Sequence, residues 1–173
     1  MRAVPITVTA LLSALLLTAC SSDDGGSGDE GNKASGSACA VGGLGRQIEA
    51  NAAPAAGDSG NVTVTLTNEG ADECTLEGLP AVDLHAGDTS VPLQPDAAAE
   101  ARKLTLPAQG TTSFTITYAR GGSGGESLAV ETVTYSLPGS TKTESFPWSY
   151  GDVALKGEGE PDASVSTFQQ AGD

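Results

Sequence analysis

The sequence predicts an all-β domain, an antiparallel β-sandwich of about seven to nine strands. Thr, Val and Ser dominate its alternating segments, and no apolar repeat at a 3.6-residue period occurs after residue 20. These segments are short and are separated by turns rich in Gly and Pro, of which the chain has 23 and 9. Short alternating strands with regular turn signals between them are typical of a sandwich.

The stretch 61–80, NVTVTLTNEGADECTLEGLP, is the one around which the other strands are expected to add. Its first seven residues alternate strictly, with threonines on one face and Val62, Val64 and Leu66 on the other. The alternation breaks at 68–70, and the chain turns again at 78–80. We therefore expect a central strand at 61–67.

Alternation and turn spacing predict further strands on both sides of this stretch, at 44–49, 74–76, 81–86, 90–93, 104–106, 111–118, 128–137 and 164–168. Residues 141–148 and 153–155 are expected to form a hairpin. Asp96 is placed to cap a single helical turn at 96–100. The apolar parity changes between Val130 and Val133, which predicts a β-bulge near 131–132.

The first 20 residues have the features of an export signal and stand outside the fold. Arg2 is followed by an apolar run at 10–17 that is too short to span a bilayer. The run ends in Leu-Thr-Ala-Cys20, which resembles the lipobox of bacterial lipoproteins. We therefore expect a signal peptide at 1–19 and a diacylglycerol on Cys20, which would hold the protein on the extracytoplasmic face of the plasma membrane. The alternative is a plain secretory signal with an incidental cysteine.

Cys20 and the residues up to 38 are expected to form a flexible tether. Ser, Gly, Asp and Glu dominate residues 21–38 and cannot bury enough apolar surface to fold. As a Gly/Ser coil, this tether has a reach of roughly 20–25 Å. Its four acidic residues lack the ligand spacing of an EF-hand loop; they are Asp23, Asp24, Asp29 and Glu30. The folded domain is expected at 39–173.

The formal net charge of −14 restricts the partners of the protein. Such a surface disfavours nucleic acid, anionic lipid and anionic wall polymers, since each would require a basic patch. An envelope protein or a neutral glycan is the expected partner instead. We expect the contacts to come from the loops 51–60, 86–90 and 119–126, because loops vary in sequence on a fixed scaffold.

The sequence offers little catalytic chemistry, and we expect no metal or organic cofactor. His85 is the only histidine and shares a strand face with Asp83, away from the apolar face, so it is expected to face solvent. Residues 57–60, Gly-Asp-Ser-Gly, resemble the serine motif of trypsin-like proteases, but the histidine follows the serine here instead of preceding it, which favours a loop. Two thiols and one imidazole are too few for a zinc site.

Three function classes remain open from these observations. The first, and the one we expect, is a non-enzymatic binding module displayed at the envelope. The second is a hydrolase of cell-wall glycan that works with paired carboxylates, for which the candidates are Asp83, Asp88, Glu131 and Glu144. The third is a structural subunit of an envelope complex.

The motif in the central stretch resembles that of a known family. The positions of this chain that carry the resemblance are Thr67, Asn68, Gly70, Cys74, Leu76, Gly78, Pro80, Val82 and Leu84. They are similar to the signature of family 4232 of the domains of unknown function, which are secreted or lipid-anchored domains of actinobacteria. The resemblance implies an immunoglobulin-like sandwich, no assigned activity, and a disulfide between Cys39 and Cys74. Cysteine parity alone, once Cys20 is lipidated, leaves a disulfide or two free thiols open.

Cys20→Ala tests the lipidation directly. The variant is expected to leave the membrane fraction or to remain unprocessed, because the substituted side chain cannot accept the diacylglycerol. Intact mass of the membrane-extracted native protein should show a chain that begins at Cys20 and carries the lipid. Unmodified, soluble native protein would contradict the prediction.

Overall fold

A computed structural model of the chain describes residues 36–122, 127–157 and 159–170. The predicted signal peptide, Cys20 and the tether as far as residue 35 lie outside these residues. Within the described ranges no helix is long and apolar enough to cross a membrane.

The described residues form an all-β fold, which confirms the predicted class. Nine of the fifteen strands have four or more residues, and the other six have two or three. In chain order the strands are β1 (Ser37–Ala38), β2 (Leu44–Asn51), β3 (Ser59–Asn68), β4 (Cys74–Gly78), β5 (Ala81–Ala86), β6 (Thr89–Pro92), β7 (Gln94–Pro95), β8 (Arg102–Leu106), β9 (Thr111–Ala119), β10 (Ser127–Leu128), β11 (Thr132–Ser136), β12 (Thr143–Pro147), β13 (Val153–Ala154), β14 (Ala163–Val165) and β15 (Gln169–Gln170). A short 3-10 turn, Val41–Gly43, precedes β2.

Two sheets face each other and form the predicted sandwich. The larger has the order β2-β3-β9-β14-β7, with β15 also paired to β9, and the smaller has the order β12-β11-β5-β6. Phe114 on β9 and Tyr135 on β11 contact each other across the interface, with ring centroids 5.4 Å apart. A sheet of β1, β4 and β8 and the pair β10–β13 complete the fold.

The core lies between the two sheets, and the predicted alternation of β3 supplies its centre. Val62, Val64 and Leu66 are at most 1% exposed, whereas the threonines between them are half-buried on the outer face. Full burial of an aliphatic side chain of this size contributes about 1.5–3 kcal/mol. The register of the neighbouring strands is therefore set by which face of β3 is buried.

The predicted bulge near 131–132 is wrong, because the parity change marks a passage between two sheets. Leu128 pairs with Val153 in the β10–β13 pair, whereas Val133 pairs with Leu84 in the smaller sheet. Between them the chain makes a tight turn in which the Val130 N–H donates to the Leu128 carbonyl at 2.9 Å.

Two other local predictions are also corrected. No helical turn forms at 96–100; instead Asp96 caps a β-turn, accepting from the Ala98 N–H through its carboxylate and from the Ala99 N–H through its carbonyl, both at 2.8 Å. A single turn has too few backbone bonds to persist as a helix. Residues 141–148 and 153–155 do not form a hairpin, since β12 pairs with β11 and β13 with β10.

Cys39 and Cys74 form a disulfide, as the family resemblance implied. Both cysteines are buried, and β1 lies parallel to β4 with Ser37 opposite Cys74. Strand pairing thus begins two residues before Cys39, where the sequence placed the start of the domain. The bond closes a loop across 35 residues, and chain entropy alone makes such a closure worth about 3–4 kcal/mol.

Asn68, at the end of β3, ties together the loops near the disulfide. Its side chain is buried, and its Nδ2 donates to the carbonyls of Asp72 at 2.8 Å and of Leu106 and Pro107, both at 3.1 Å. Its Oδ1 accepts from the Gly70 N–H at 3.0 Å. One amide therefore satisfies polar backbone groups from two loops that are distant in sequence.

Asn68→Asp is expected to lower the free energy of unfolding by about 3 kcal/mol or more at neutral pH, because the introduced carboxylate would face three carbonyl oxygens without a proton to donate. Burial raises the pKa of the introduced carboxyl in the folded state above its unfolded value of about 3.9. The penalty should therefore be smallest below about pH 4 and grow as the pH rises.

Urea unfolding at pH 4 and pH 7 measures this difference. Asn51→Asp is the matched control, since it makes the same chemical change at an exposed position of β2 and should stay within about 0.5 kcal/mol of the native protein. Equal effects of the two substitutions would contradict the role of the Asn68 amide.

Candidate functional site

Two of the loops that the sequence predicted as contact loops meet at one end of the sandwich. β3 begins and β9 ends there, with Ser59 opposite Ala119. The Arg120 N–H donates to the Asp58 carbonyl and the Gly57 N–H donates to the Arg120 carbonyl, both at 2.8 Å. Residues 52–58 are thereby joined to the chain that leaves β9.

The smaller sheet contributes further segments to the same end. The Glu131 N–H donates to the His85 carbonyl, and the Trp148 N–H donates to the Glu131 carbonyl, both at 2.8 Å. The Trp148 ring packs edge-on against Tyr118 with centroids 4.9 Å apart. The hairpin turn that follows β5 therefore also lies at this end, which we call the Arg120 end. All three predicted loops have residues here, together with the segment 148–152, which the sequence did not predict.

The chain enters the described domain at the opposite end. Ser37 lies beside Cys74, and Cys74 pairs with Leu106, whose carbonyl binds Asn68 at the far end of β3. We call this the disulfide end. The ten residues of β3 separate the two ends by roughly 30 Å.

Tyr118 forms the floor of the Arg120 end. Its ring is 1% exposed, and its hydroxyl accepts from the Ala53 N–H at 3.2 Å and donates to the Tyr150 carbonyl at 2.8 Å. A Cβ on Gly60 would lie 2.7 Å from the Tyr118 ring and 2.6 Å from the Ala53 nitrogen. Only glycine fits where the backbone approaches the ring this closely, so the Gly-Asp-Ser-Gly segment is explained by packing.

Trp148 and Tyr150 hold the segment that crosses this floor. Their rings contact edge-on with centroids 4.9 Å apart, and the Trp148 indole N–H donates to the Gly151 carbonyl at 2.6 Å. Gly151 has a positive φ of 91°, and a Cβ there would lie 2.8 Å from Arg120 Nε. A glycine is therefore required at 151 for two reasons: its backbone conformation is unfavourable for other residues, and a side chain there would clash with the Arg120 guanidinium.

Arg120 is half-buried and braces the loop 52–58. Its Nη1 donates to the Ala53 carbonyl at 2.8 Å and to the Pro54 carbonyl at 3.1 Å. Beside it lies a cavity of about 380 Å³, a size in the range of small-ligand sites. The lining residues are Pro54, Ala55, Ala56, Arg120, Gly121, Gly122, Gly151 and Asp152.

The candidate carboxylates of the hydrolase hypothesis do not share one face. Asp83 lies on the outer face of β5, opposite Thr134, whereas Glu144 lies opposite the core residue Tyr135. Asp88 is exposed in the β5–β6 turn, and Glu131 is exposed just before β11. The four residues are thus divided between the outer face, the Arg120 end and an edge of the sandwich.

Glu144 takes part in closing that edge. The Arg46 guanidinium on β2 lies 3.7 Å from the Glu144 carboxylate and donates to the Ser145 carbonyl at 2.8 Å, so it bridges the edge strands of the two sheets. Burial raises the pKa of the Tyr135 phenol, and the neighbouring Arg46 guanidinium acts in the opposite direction. An inward-pointing charge of this kind also protects a sheet edge from pairing with another chain.

His85 lies on the outer face with Asp83, as predicted, but it is half-buried. Its Nε2 lies 2.9 Å from Thr134 Oγ1, in hydrogen-bond contact. No group of three His, Cys, Asp or Glu side chains comes close enough to hold a metal ion within the described part of the chain. Cys20 lies outside that part.

Sequence patterns left the main residues of the Arg120 end unassigned. The signals were present but weak: Trp148 and Tyr150 directly follow a strand that ends in Pro147, and Arg120 stands between β9 and two glycines. Each of these features is compatible with an ordinary loop until its distant partner is known.

The structure therefore defines the class of protein: a β-sandwich domain with a cavity built from loops. The cavity lies at the end of the domain opposite the disulfide end, where the preceding chain enters. The chain belongs to the family described as a domain of unknown function (DUF4232), whose model matches residues 39–169. A search of the curated proteins finds no match to the chain.

Tyr118→Phe is expected to lower the free energy of unfolding by about 1–3 kcal/mol, because it leaves the Ala53 N–H and the Tyr150 carbonyl without their partner. Hydrogen exchange at the Ala53 amide should accelerate. Tyr150→Phe is the control, since the Tyr150 phenol makes no hydrogen bond to any described residue. An unchanged Ala53 exchange rate in the Tyr118 variant would contradict this assignment.

Proposed function

We propose that the protein is a lipid-anchored, non-enzymatic binding module of the cell envelope, which contacts its partner through the Arg120 end. The partner is an envelope protein or a neutral glycan, and the anchor is the lipid expected on Cys20. The proposal requires no metal or organic cofactor.

The placement of the two ends is the observation that carries this proposal. The chain that would come from the membrane joins the domain at the disulfide end, roughly 30 Å along β3 from the Arg120 end. A tether attached there leaves the Arg120 end, on the opposite side of the domain from the attachment point, free to contact a partner. Partners in the envelope would meet it at high local concentration.

The construction of the Arg120 end also suits binding. The loop 52–58 is held by the Tyr118 hydroxyl and the Arg120 guanidinium, and the segment 148–152 by the Trp148 indole. A surface that is already ordered loses little conformational entropy when a partner binds. The net charge of −14 opposes highly anionic partners, so that a protein or a neutral glycan is favoured.

Site-specific photo-crosslinking in intact cells tests the proposal. A photoreactive residue at the exposed Ala52 of the Arg120 end, which does not line the cavity, is expected to capture a discrete partner, and the same residue at the exposed Thr141 of the disulfide end is the matched control. Cys20→Ala should abolish the Ala52 adduct by releasing the protein from the membrane.

Two results would overturn the proposal. The first is equal capture from Ala52 and Thr141. The second is hydrolysis of a wall glycan by the purified full chain. Each candidate carboxylate would then be replaced singly by its amide, and loss of the activity in any one variant would support the hydrolase instead; the candidates are Asp83, Asp88, Glu131 and Glu144.

A further inference from the structure

We infer that the cavity beside Arg120 binds the terminal carboxylate of a peptide that ends in small residues, with the Arg120 guanidinium as the receptor. This inference rests on the proposed function and names the ligand class of the same site. Three observations support it: the lack of an ion-pair partner for Arg120 among the described residues, the geometry of its guanidinium, and the small residues that line the cavity.

Arg120 has no carboxylate within ion-pair distance among the described residues, although Asp152 lines the same cavity. The sequence has 22 acidic and 8 basic residues, so most basic groups should find a counter-ion. Four of the six described basic side chains do so; they are Arg46, Arg102, Lys103 and Lys156. The two others are Lys142, which is exposed, and Arg120, which is half-buried. A bound anion would give this half-buried cation an opposite charge in direct contact.

The guanidinium is held in one orientation before any ligand arrives. Nη1 is occupied by the carbonyls of Ala53 and Pro54, so a ligand would have to use the edge formed by Nε and Nη2. A Cβ at position 151 would lie 2.8 Å from Nε, and the glycine keeps that space clear. The structure gives Nη2 and Nε no hydrogen-bond partner among the described residues. A guanidinium is a planar fork that binds a carboxylate with two parallel hydrogen bonds, and here the fork is ordered in advance.

The walls of the cavity indicate what the carboxylate is attached to. Glycines, alanines and one proline line it, and a Cβ on Gly122 would already lie 3.2 Å from the Ala56 Cβ. Such walls leave room for a ligand's backbone and for small side chains. Asp152 also lines the cavity and can accept a hydrogen bond from a ligand N–H.

A peptide end combines these requirements in one ligand. It has a single negative charge for Arg120 and amide N–H groups for Asp152. A phosphate or sulfate has no N–H to offer Asp152, and its higher charge would oppose both Asp152 and the net charge of the protein. A single carboxylate in contact with Arg120 is attracted locally, whereas charges beyond about 8 Å are largely screened at physiological salt.

The competing explanation is that Arg120 only braces the loop 52–58 through its Nη1 bonds. If so, replacing Arg120 would change the stability of the loop, but the protein would not bind a peptide with a free carboxylate more tightly than the same peptide with a terminal amide. The experiment therefore compares two probes that differ only at that group.

N-acetyl-Ala-Ala with a free carboxylate and the same peptide as its C-terminal amide are titrated into the full chain purified in detergent. Trp148 is the reporter, because it is the only tryptophan and its indole N–H donates to the carbonyl of Gly151 in the cavity wall. The indole N–H resonance should shift saturably with the acid, and the amide should bind at least about tenfold more weakly, as expected for loss of a charged hydrogen-bonded pair.

Three variants assign the effect to the cavity. Arg120→Lys keeps the charge but loses the fork and should weaken binding of the acid by about tenfold or more. Lys142→Met removes the other unpaired described cation, at the disulfide end, and should change nothing. Ala55→Leu fills the cavity at an exposed wall position and should block binding even if Arg120→Lys proves unstable.

Equal shifts with acid and amide, the absence of a saturable shift, or unchanged affinity in Arg120→Lys or Ala55→Leu would each overturn the inference. A discrete crosslink from the Arg120 end in cells combined with no peptide binding would leave the binding module standing and remove this ligand class. Failure of both experiments would remove both proposals.

Discussion

The ladder between β3 and β9 is the interaction on which the rest of the molecule depends. Nine residue pairs run in register from Thr67 opposite Thr111 to Ser59 opposite Ala119, so this ladder connects the disulfide end to the Arg120 end. A shift of one residue would turn the buried aliphatic face of β3 outward and its threonines inward, which the core could not accommodate. It would also move Tyr118 away from Gly60 and thereby separate the floor of the Arg120 end from the loop above it.

Asn68 fixes that register at the other end of the ladder. Its N–H donates to the Gly110 carbonyl at 2.9 Å and its carbonyl accepts from the Gln109 N–H at 2.8 Å, so the turn before β9 is bound by the backbone of the last residue of β3. The side-chain amide of the same residue binds the carbonyls of Leu106 and Pro107. A buried amide has donors and an acceptor in fixed directions, and a slipped register would leave them unsatisfied. Placement of the Arg120 end is therefore controlled in part by a residue at the far end of the domain.

The sequence predicted a strand well where alternation between buried and exposed residues marks it out. It predicted poorly where the structure depends on a partner that is distant in sequence. β5 has the predicted bounds, Ala81–Ala86, because alternation between buried and exposed positions is visible within six residues. The change of parity after Val130 was read as a bulge because periodicity shows which face is buried but not in which sheet. The sequence predicted the loops of the Arg120 end but not the contacts that hold them, for a related reason: the Tyr118 hydroxyl and Ala53 are 65 residues apart, and Arg120 and Pro54 are 66 apart. No local pattern reports such contacts.

Arg46 and Arg120 show how one side-chain chemistry serves two different purposes in this fold. Both guanidiniums donate to backbone carbonyls at 2.8 Å and both hold two segments together. Arg46 also has the Glu144 carboxylate 3.7 Å away, so its charge is balanced while it closes the edge between the sheets. Arg120 has no such balance among the described residues and lies beside a cavity lined by small residues. An ionised donor forms stronger hydrogen bonds to carbonyl oxygens than a neutral donor does, so bracing alone accounts for the Nη1 contacts of Arg120. The proposal of a bound carboxylate therefore rests on the remaining edge of the guanidinium, formed by Nε and Nη2, and on the cavity beside it.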